Sequence, residues 1–436
     1  MTIRSHLLKL GLIALIGAVA LLGGRAAHAT GPFVEPDAVA LYTYASEQAG
    51  DGFGWASENL GDINDDGVND YIISAPFFVS DGAPTGKAYV YSGANGSLLN
   101  EVTGNAFDWF GWSVSSAGDV NADGVPDYAV GGRGAPTGPT PNTGRVVVYS
   151  GADHSVLYEW IGGAGDTFGY DVNKAGDING DGYGDVIVGA AFADFTASRV
   201  GRVYVFSGAN GSVLWTVDGS EADSFLGSAV GFVGDLNGDG AWELTAGAMG
   251  AGQPQGHLLS GQAYVFDGAT GARIFVLDPL GDGTSSRFGQ FFTSDAGDVN
   301  ADGVPDIFVA DYNDGHGGKG AGSAYVFSGV DGSYLHIFHG NIGDGLGPGR
   351  GIGDINGDSH ADLIIAAYTN SDGAPQAGKT YLFSGADGSV LRTMTGNIPG
   401  DFQGVDAVGL GDLNGDGLQD YLITGGASAY VVAGVP

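Results

Sequence analysis

The sequence has no cysteine and few basic residues, and these two deficits exclude several classes of protein. Without cysteine there can be no disulfide, no thiol nucleophile, no cysteine-bound zinc and no lipid-modified cysteine after a leader segment. Only 15 lysines and arginines stand against 50 aspartates and glutamates, which gives a formal net charge of −35. Because nucleic-acid phosphates are repelled by such a charge, we expect no nucleic-acid partner.

Helical periodicity is also missing. After residue 30, short runs rich in Val, Tyr, Phe and Ile alternate with Asn-Gly and Asp-Gly turn signals, and no stretch places apolar residues at helical spacing. Glycine is abundant, at 83 of 436 residues, but without the three-residue period of collagen. With a hydrophobic share of 43%, this composition predicts a folded all-β protein built from many short strands.

Residues 1–29 have the pattern of a secretory signal peptide. A basic start precedes an apolar stretch over 10–24, and Ala27-His28-Ala29 fits a cleavage site with small residues. The apolar stretch is shorter than the roughly 20 residues that a membrane span needs, although a single membrane anchor remains the alternative. We therefore predict a secreted protein, extracellular, periplasmic or at the cell surface, without a membrane span in its mature chain.

An acidic nine-residue pattern, D-x-N-x-D-G-x-x-D, recurs seven times. The decapeptide GDVNADGVPD at 118–127 returns unchanged at 297–306, and five related copies accompany these two. Successive copies begin 57, 58, 58, 63, 56 and 58 residues apart, so the repeats fill residues 30–436 and leave no space for a second domain. Phe-Gly pairs precede copies one, two, three and five, and strands such as YVFSG follow the pattern.

Each repeat predicts four antiparallel strands, and seven such sheets arranged radially form a seven-bladed β-propeller. The last repeat stops after SAYVVAG at 428–434 and lacks a fourth strand. The segment VALYTY at 39–44, which precedes the first repeat, resembles that missing strand. We therefore predict that this N-terminal strand completes the last blade and closes the ring, which replaces the absent disulfides.

The acidic pattern is typical of a loop that binds a hard cation. Side-chain oxygens occur at positions 1, 3, 5 and 9, position 7 can offer a main-chain carbonyl, and glycine at position 6 permits a positive φ. Calcium takes six to eight oxygen ligands in irregular geometry, whereas magnesium requires a stricter octahedron and zinc prefers nitrogen or sulfur. An EF-hand would need glutamate at position 12, where every copy has Ile, Val or Ala.

We therefore predict up to seven calcium sites, whose ligands come from positions 1, 3, 5, 7 and 9 of each loop. The alternatives are plain Asp/Asn/Gly turns and, for part of the acidic charge, a halophilic surface. The predicted ligands are Asp62, Asn64, Asp66, Val68, Asp70, Asp119, Asn121, Asp123, Val125, Asp127, Asp177, Asn179, Asp181, Tyr183, Asp185, Asp235, Asn237, Asp239, Ala241, Glu243, Asp298, Asn300, Asp302, Val304, Asp306, Asp354, Asn356, Asp358, His360, Asp362, Asp412, Asn414, Asp416, Leu418 and Asp420.

Two loops depart from the pattern. The fourth ends in Glu243, which is one methylene longer than aspartate, and the sixth has Ser359 where glycine is expected. Since a residue other than glycine is strained at positive φ, we expect the sixth loop to be the weakest site.

The Phe-Gly pairs, the GDxNxDGxxD loops and the YVFSG strands resemble the FG-GAP repeats of the integrin α-subunit propeller over about residues 39–434. This resemblance implies calcium loops on the lower face, between the first two strands of each blade, and ligands on the upper face. The loop residues at 119, 121, 123 and 127 match the liganding positions of that family. Because no further integrin-like domains follow, the chain is more similar to secreted bacterial FG-GAP proteins, and we expect a monomer.

The resemblance and the repeat pattern favour a calcium-binding adhesion or ligand-binding module whose partner is an extracellular protein or glycan. The segments between second and third strands vary in length and sequence while the acidic loops stay nearly constant, which indicates a specificity surface. They span 77–86, 133–144, 192–201, 249–261, 311–322 and 369–378, and offer Phe77, Phe78, Phe192, Phe195 and Tyr312 for stacking or for filling gaps between blades.

The alternative is a secreted polysaccharide-acting enzyme, similar to lyases, or a phospholipase-associated propeller. The chain has no G-x-S-x-G elbow and no HExxH motif, and no histidine recurs in register between repeats. His316, with Asp311 and Asp314 nearby, is the best single candidate for a base, but an exposed loop residue is the simpler interpretation. We therefore predict no catalytic residue and no cofactor other than calcium.

Overall fold

The computed structural model describes residues 31–134, 142–252, 261–280 and 287–436, so the predicted signal peptide lies outside the described residues. The described residues form thirty strands and no helix, and accordingly no helix able to cross a membrane was found among them. The strands are β1 (Ala40–Ala45), β2 (Ser57–Gly61), β3 (Asp70–Ala75), β4 (Val79–Ser80), β5 (Ala83–Pro84), β6 (Lys87–Tyr91), β7 (Leu98–Thr103), β8 (Phe110–Gly118), β9 (Asp127–Gly132), β10 (Arg145–Tyr149), β11 (Val156–Ile161), β12 (Phe168–Gly176), β13 (Asp185–Ala190), β14 (Arg202–Phe206), β15 (Val213–Asp218), β16 (Leu226–Gly234), β17 (Glu243–Ala248), β18 (Gln262–Phe266), β19 (Arg273–Leu277), β20 (Thr293–Gly297), β21 (Asp306–Asp311), β22 (Ser323–Phe327), β23 (Tyr334–His339), β24 (Leu346–Gly353), β25 (Asp362–Ala367), β26 (Lys379–Phe383), β27 (Val390–Thr395), β28 (Ala407–Gly411), β29 (Asp420–Thr424) and β30 (Ser428–Val432).

Seven sheets of four antiparallel strands form the blades. In chain order they are β2-β3-β6-β7, β8-β9-β10-β11, β12-β13-β14-β15, β16-β17-β18-β19, β20-β21-β22-β23, β24-β25-β26-β27 and β28-β29-β30-β1, which we number blades 1 to 7. The short pair β4-β5 lies in the connection between the second and third strands of blade 1. The first strands of neighbouring blades contact one another around the whole ring, including β28 with β2. The predicted seven-bladed propeller is thereby confirmed.

The ring closes where the two ends of the described chain meet. Strand β1 pairs antiparallel with β30, one residue later than predicted, and the Ala433 N–H donates to the Val39 carbonyl at 2.9 Å. Across the same seam, Asp406 of blade 7 accepts hydrogen bonds from the main-chain N–H and the hydroxyl of Ser57 in blade 1. The N-terminal strand therefore completes the last blade, as the repeat count predicts.

The core lies between blades. Every residue of the second strands β3, β9, β13, β17, β21, β25 and β29 is buried, because both faces of these strands are covered by neighbouring blades. Adjacent blades also approach at a glycine before the third strand. A Cβ atom on Gly86 would lie 2.1 Å from the Phe110 carbonyl oxygen, so only glycine permits this contact between blades 1 and 2.

Candidate cation loops and the central aromatic cavity

The seven acidic loops all lie on one face of the propeller, because each joins the first strand of a blade to the second. The connections between second and third strands lie at the other end of the blades, since neighbouring strands are antiparallel. We call the two sides the loop face and the cavity face. The structure therefore separates the predicted calcium ligands from the predicted specificity segments by the length of a strand.

Each loop is ordered by hydrogen bonds to its own carboxylates. In the second loop, the Asp119 carboxylate accepts from the N–H groups of Asp123 and Gly124 at 3.0 and 2.9 Å. Asn121 Oδ1 accepts from the Asp123 N–H at 2.8 Å, and Asp123 Oδ1 accepts from the Val125 N–H at 2.9 Å. These bonds bend the chain into a turn in which the side chains of positions 1, 3 and 5 accept from the loop's own main chain.

The carboxylate at position 9 joins the loop to the blade. Asp127, which has no exposed surface, accepts from the Val120 N–H at 2.8 Å and from the Gly151 N–H at 2.9 Å, beyond the third strand. The corresponding aspartates of the other loops are equally buried and make the same two bonds; they are Asp70, Asp185, Asp306, Asp362 and Asp420. Position 9 therefore fixes the loop to its sheet.

Burial raises the pKa of these position-9 carboxyls. The pKa reaches about 6 for Asp70, Asp127, Asp185 and Asp306, and about 7 for Glu243, because burial disfavours the charged form and nearby loop carboxylates add repulsion. A bound cation requires ionised ligands, so binding of a cation to these loops would be coupled to loss of protons from position 9.

The donor set fits a hard divalent cation. The side chains at positions 1, 3, 5 and 9 offer only oxygen ligands, apart from the amide nitrogen of asparagine. At position 7 of the sixth loop, the His360 imidazole is turned away and its Nδ1 lies 2.7 Å from the Val299 carbonyl oxygen in blade 5. His360 therefore has only its main chain available to the loop, like the position-7 residues of the other blades.

Blade 4 adds a carboxylate that the repeat pattern does not reveal. Carboxylate oxygens of Asp239, Glu243 and Asp267 lie within 4.8 Å of one another. Asp267 follows the third strand, where blades 1, 2, 3, 5 and 6 have serine, as at Ser207. The sequence does show VFDG here in place of VFSG. Only the tertiary structure shows that Asp267 lies close to Asp239, which is 28 positions earlier in the chain.

Positive φ occurs at two positions of the loops, only one of which the sequence pattern identifies. Ser359 has a φ of 72°, as expected for position 6, so the predicted strain in the sixth loop is confirmed. Position 4 is also left-handed, and there Asp65, Ala122 and Ala301 have φ values of 60°, 58° and 58°. The other four loops have glycine at position 4. The two identical decapeptides therefore each contain a strained alanine.

Replacing Ala301 with glycine should stabilise the protein. The left-handed conformation costs an alanine about 1 kcal/mol relative to glycine, and a Cβ atom at position 301 gains no buried contact because the side chain is exposed. Chemical denaturation should show a higher free energy of unfolding for Ala301→Gly. The control is Ala272→Gly, at an exposed turn residue with ordinary φ, which should be neutral or slightly destabilising. Equal destabilisation by both changes would contradict the strain.

A cavity of about 590 Å³ occupies the centre of the ring and opens on the cavity face. Its mouth is formed by aromatic residues that precede or begin the innermost strands. Trp55 packs against Trp112 with ring centroids 4.7 Å apart and against Phe77 at 5.6 Å. Phe291 stacks almost parallel on Tyr170 at 5.9 Å, and its ring centroid also lies 6.1 Å from that of Trp55. Rings from different blades thus meet around one central space.

The deeper wall of the cavity is polar. The Arg350 guanidinium donates to Glu58 at 2.7 Å and to Asp406 at 2.8 Å, so one cation joins blades 6, 1 and 7. Asp171 accepts from the Val230 N–H at 2.7 Å, and burial raises the pKa of its carboxyl to about 7. The cavity therefore combines an aromatic mouth with a hydrogen-bonding floor, a composition typical of small-ligand sites.

The aromatic residues predicted from the variable segments divide between two roles. Phe77 and Tyr312 line the cavity. Phe78 packs in the core between blades 7 and 1, Phe192 packs on Phe225 at 5.1 Å, and Phe195 is 43% exposed beneath the Arg202 guanidinium. Only two of the five therefore reach the central space. Parts of the predicted segments 133–144 and 249–261 lie outside the described residues.

Most of the cavity's aromatic residues were missed because they lie outside the variable segments. Trp55, Trp112 and Tyr170 directly follow the Phe-Gly pairs of repeats 1 to 3, which is a signal that the sequence does contain.

His316, the candidate base, is not among the cavity residues; its ring stacks on His339 with centroids 4.1 Å apart. Asp314 accepts from the Tyr325 hydroxyl at 3.1 Å.

Comparison with known proteins agrees with this architecture. The FG-GAP repeat family matches residues 168–206 and 351–383. Integrin alpha-5 of Xenopus laevis is 32% identical over 197 residues, which are 41% of this chain and 18% of that protein. Integrin alpha-V of Gallus gallus is 31% identical over 229 residues, or 49% of this chain and 21% of that protein, and human integrin alpha-6 is 33% identical over 146 residues. The chain thus spans about a fifth or less of these relatives. Together with the seven closed blades, these matches identify the chain as an FG-GAP repeat β-propeller similar to the N-terminal propeller of integrin α-subunits.

Proposed function

We propose that this protein is a secreted binding propeller of the adhesion type, which calcium stabilises from the loop face and which holds its ligand on the cavity face. The similarity to integrin α-subunits supports a role in adhesion or ligand binding. The loops offer oxygen donors but no open cavity, and so their ions would be structural. Fold alone does not define a ligand, so the proposal depends on the sites themselves.

The observation that carries the proposal is the central cavity. A cavity onto which the partly buried rings of Trp55, Phe77 and Phe291 open is costly to maintain, because apolar surface is left uncovered. A well-packed propeller centre would remove that cost. Preserving the space is therefore favourable only if a ligand covers the rings, and the cavity lies on the face opposite the seven cation loops.

A binding screen tests this function directly. The purified chain from residue 30 onward would be applied, in calcium buffer, to a panel of extracellular-matrix proteins and cell-surface polysaccharides. We expect saturable binding to at least one member, which a chelator abolishes. Folded, calcium-loaded protein that binds no member of either class would overturn the proposed function.

The fourth loop should hold its cation most tightly, because Asp267 adds a carboxylate to it. Trp242, the only tryptophan within the seven loops, lies in this loop and can sensitise the luminescence of bound Tb³⁺, a calcium substitute. We expect Asp267→Ser to weaken Tb³⁺ binding, read at tryptophan excitation, about tenfold, since one charge a few ångströms away contributes roughly 1–2 kcal/mol in a surface site.

The matched control for this change is Asp278→Ser. It removes the same charge from the same blade but at the opposite end, after β19. Asp278→Ser should leave the Tb³⁺ titration unchanged. An equal loss of affinity in both variants would mean that net charge matters and Asp267 is not a ligand.

A further inference from the structure

Each of the three carboxylates in the floor of the central cavity already has hydrogen-bond partners within the protein. Glu58 and Asp406 both bind the Arg350 guanidinium, and Asp406 also accepts two hydrogen bonds from Ser57. Asp171 is held by the main-chain N–H groups of Val230 and Val172 at 2.7 and 3.0 Å. None of these floor carboxylates therefore lacks a hydrogen-bond partner within the protein.

A second internal cation, Arg133, lies against two tryptophans of the aromatic mouth. The Arg133 guanidinium carbon lies 3.6 Å from the centroid of the Trp112 ring and 4.5 Å from that of Trp109. Cation–π attraction draws on the electron-rich ring face, and Arg133 already covers that face in both tryptophans. A charged amine or guanidinium entering the cavity would meet the positive charge of Arg133 close by. The mouth is therefore poorly suited to a cation.

The remaining groups suit a neutral, hydroxyl-rich ligand. Trp55 and Phe77 are only half-buried and line the cavity, so ring surface is available to the C–H faces of a sugar. Below them the paired carboxylates, the guanidinium of Arg350 and the amide of Asn173 line the floor. Such groups donate to and accept from hydroxyls without requiring a net charge on the ligand.

We propose that the central cavity binds a neutral saccharide, with a sugar ring stacked on Trp55 and its hydroxyls bound by the Glu58–Arg350–Asp406 group. This inference rests on the proposed binding function and specifies its ligand class. The volume of about 590 Å³ lies within the range of ordinary small-ligand sites and accommodates the end of an oligosaccharide chain.

The test is calorimetric titration of the calcium-loaded protein with neutral hexasaccharides derived from cellulose, xylan, mannan and chitin. Hexagalacturonate and hexalysine serve as charged probes. We expect one or more neutral sugars to bind, and Trp55→Ala to weaken that binding at least about fivefold, because an aromatic stacking contact contributes roughly 1 kcal/mol or more. Trp55→Phe, which keeps a ring, should retain most of the affinity.

Trp160→Ala is the matched control. Trp160 is also half-buried, but it lies in the outer strand of blade 2 and stacks on Phe206 at 4.2 Å, away from the cavity. The Trp160→Ala variant should bind sugar like the unmodified protein, and thermal melts would verify that each variant is folded. Binding of hexalysine or hexagalacturonate alone, or sugar binding that Trp55→Ala leaves intact, would overturn the saccharide assignment. Neither result would contradict the proposed binding function. That function fails only if the separate screen of proteins and polysaccharides finds no partner.

Discussion

Removing calcium should lower the unfolding temperature of this protein by more than about 10 °C. Each loop carries at least three carboxylates within nine residues, and without an ion their mutual repulsion and the burial of position 9 oppose folding. One site filled at a hundred times its dissociation constant stabilises the folded state by about 2.7 kcal/mol, and the chain has seven such loops. Calorimetric melts in calcium and in chelator measure the difference.

The controls separate calcium from ionic strength. Added potassium chloride screens the loop carboxylates but cannot supply a coordinated ion, so it should restore little of the lost stability. Magnesium should restore less than calcium, because it demands a stricter octahedron. A midpoint that is unchanged by chelator, or fully restored by salt, would show that the loops are hydrogen-bonded turns rather than cation sites.

Deleting residues 31–45 should leave the chain unable to fold into a closed ring. The deletion removes β1, whose Leu41, Tyr42 and Tyr44 pack against the core between blades 7 and 1. Their burial contributes roughly 3–6 kcal/mol, which is comparable to the whole stability of many domains. The deletion also exposes β30 as an unpaired edge strand, so we expect aggregation, measured by light scattering. We also expect the cooperative thermal transition to be lost.

A permutant provides the control for this deletion. Residues 37–45 placed after Pro436 would form a hairpin with β30, because Ala433 and Val39 are already joined by a hydrogen bond. This chain should regain a soluble, cooperatively folded state. If the deletion alone folded as well as the permutant, the N-terminal strand would not be what closes the ring.

The repeat pattern predicted much of the fold because every repeat encodes the same local choices. Alternating apolar runs, Asn-Gly and Asp-Gly turns and the spacing of about 58 residues each favour short antiparallel strands, and seven copies can satisfy their edges only as a ring. The missing fourth strand of the last repeat and the spare strand at 39–44 then indicated how the ring closes. Local turn chemistry likewise predicted a turn at each acidic pattern, although the left-handed position 4 was recognised only in the structure, and cation binding by these turns stays a prediction.

The sequence by itself therefore determined the blades, their number and the positions of the acidic loops, since these features depend on residues close together in the chain. The spare N-terminal strand and the incomplete last repeat together indicated the closure. Only the tertiary structure decided which side chains from different blades meet. Arg350 joins Glu58 of blade 1 to Asp406 of blade 7, and Trp55 meets Phe291 of blade 5 at the shared central space. Such contacts depend on the radial packing of the sheets, which places residues hundreds of positions apart within a few ångströms, and no local pattern records that distance.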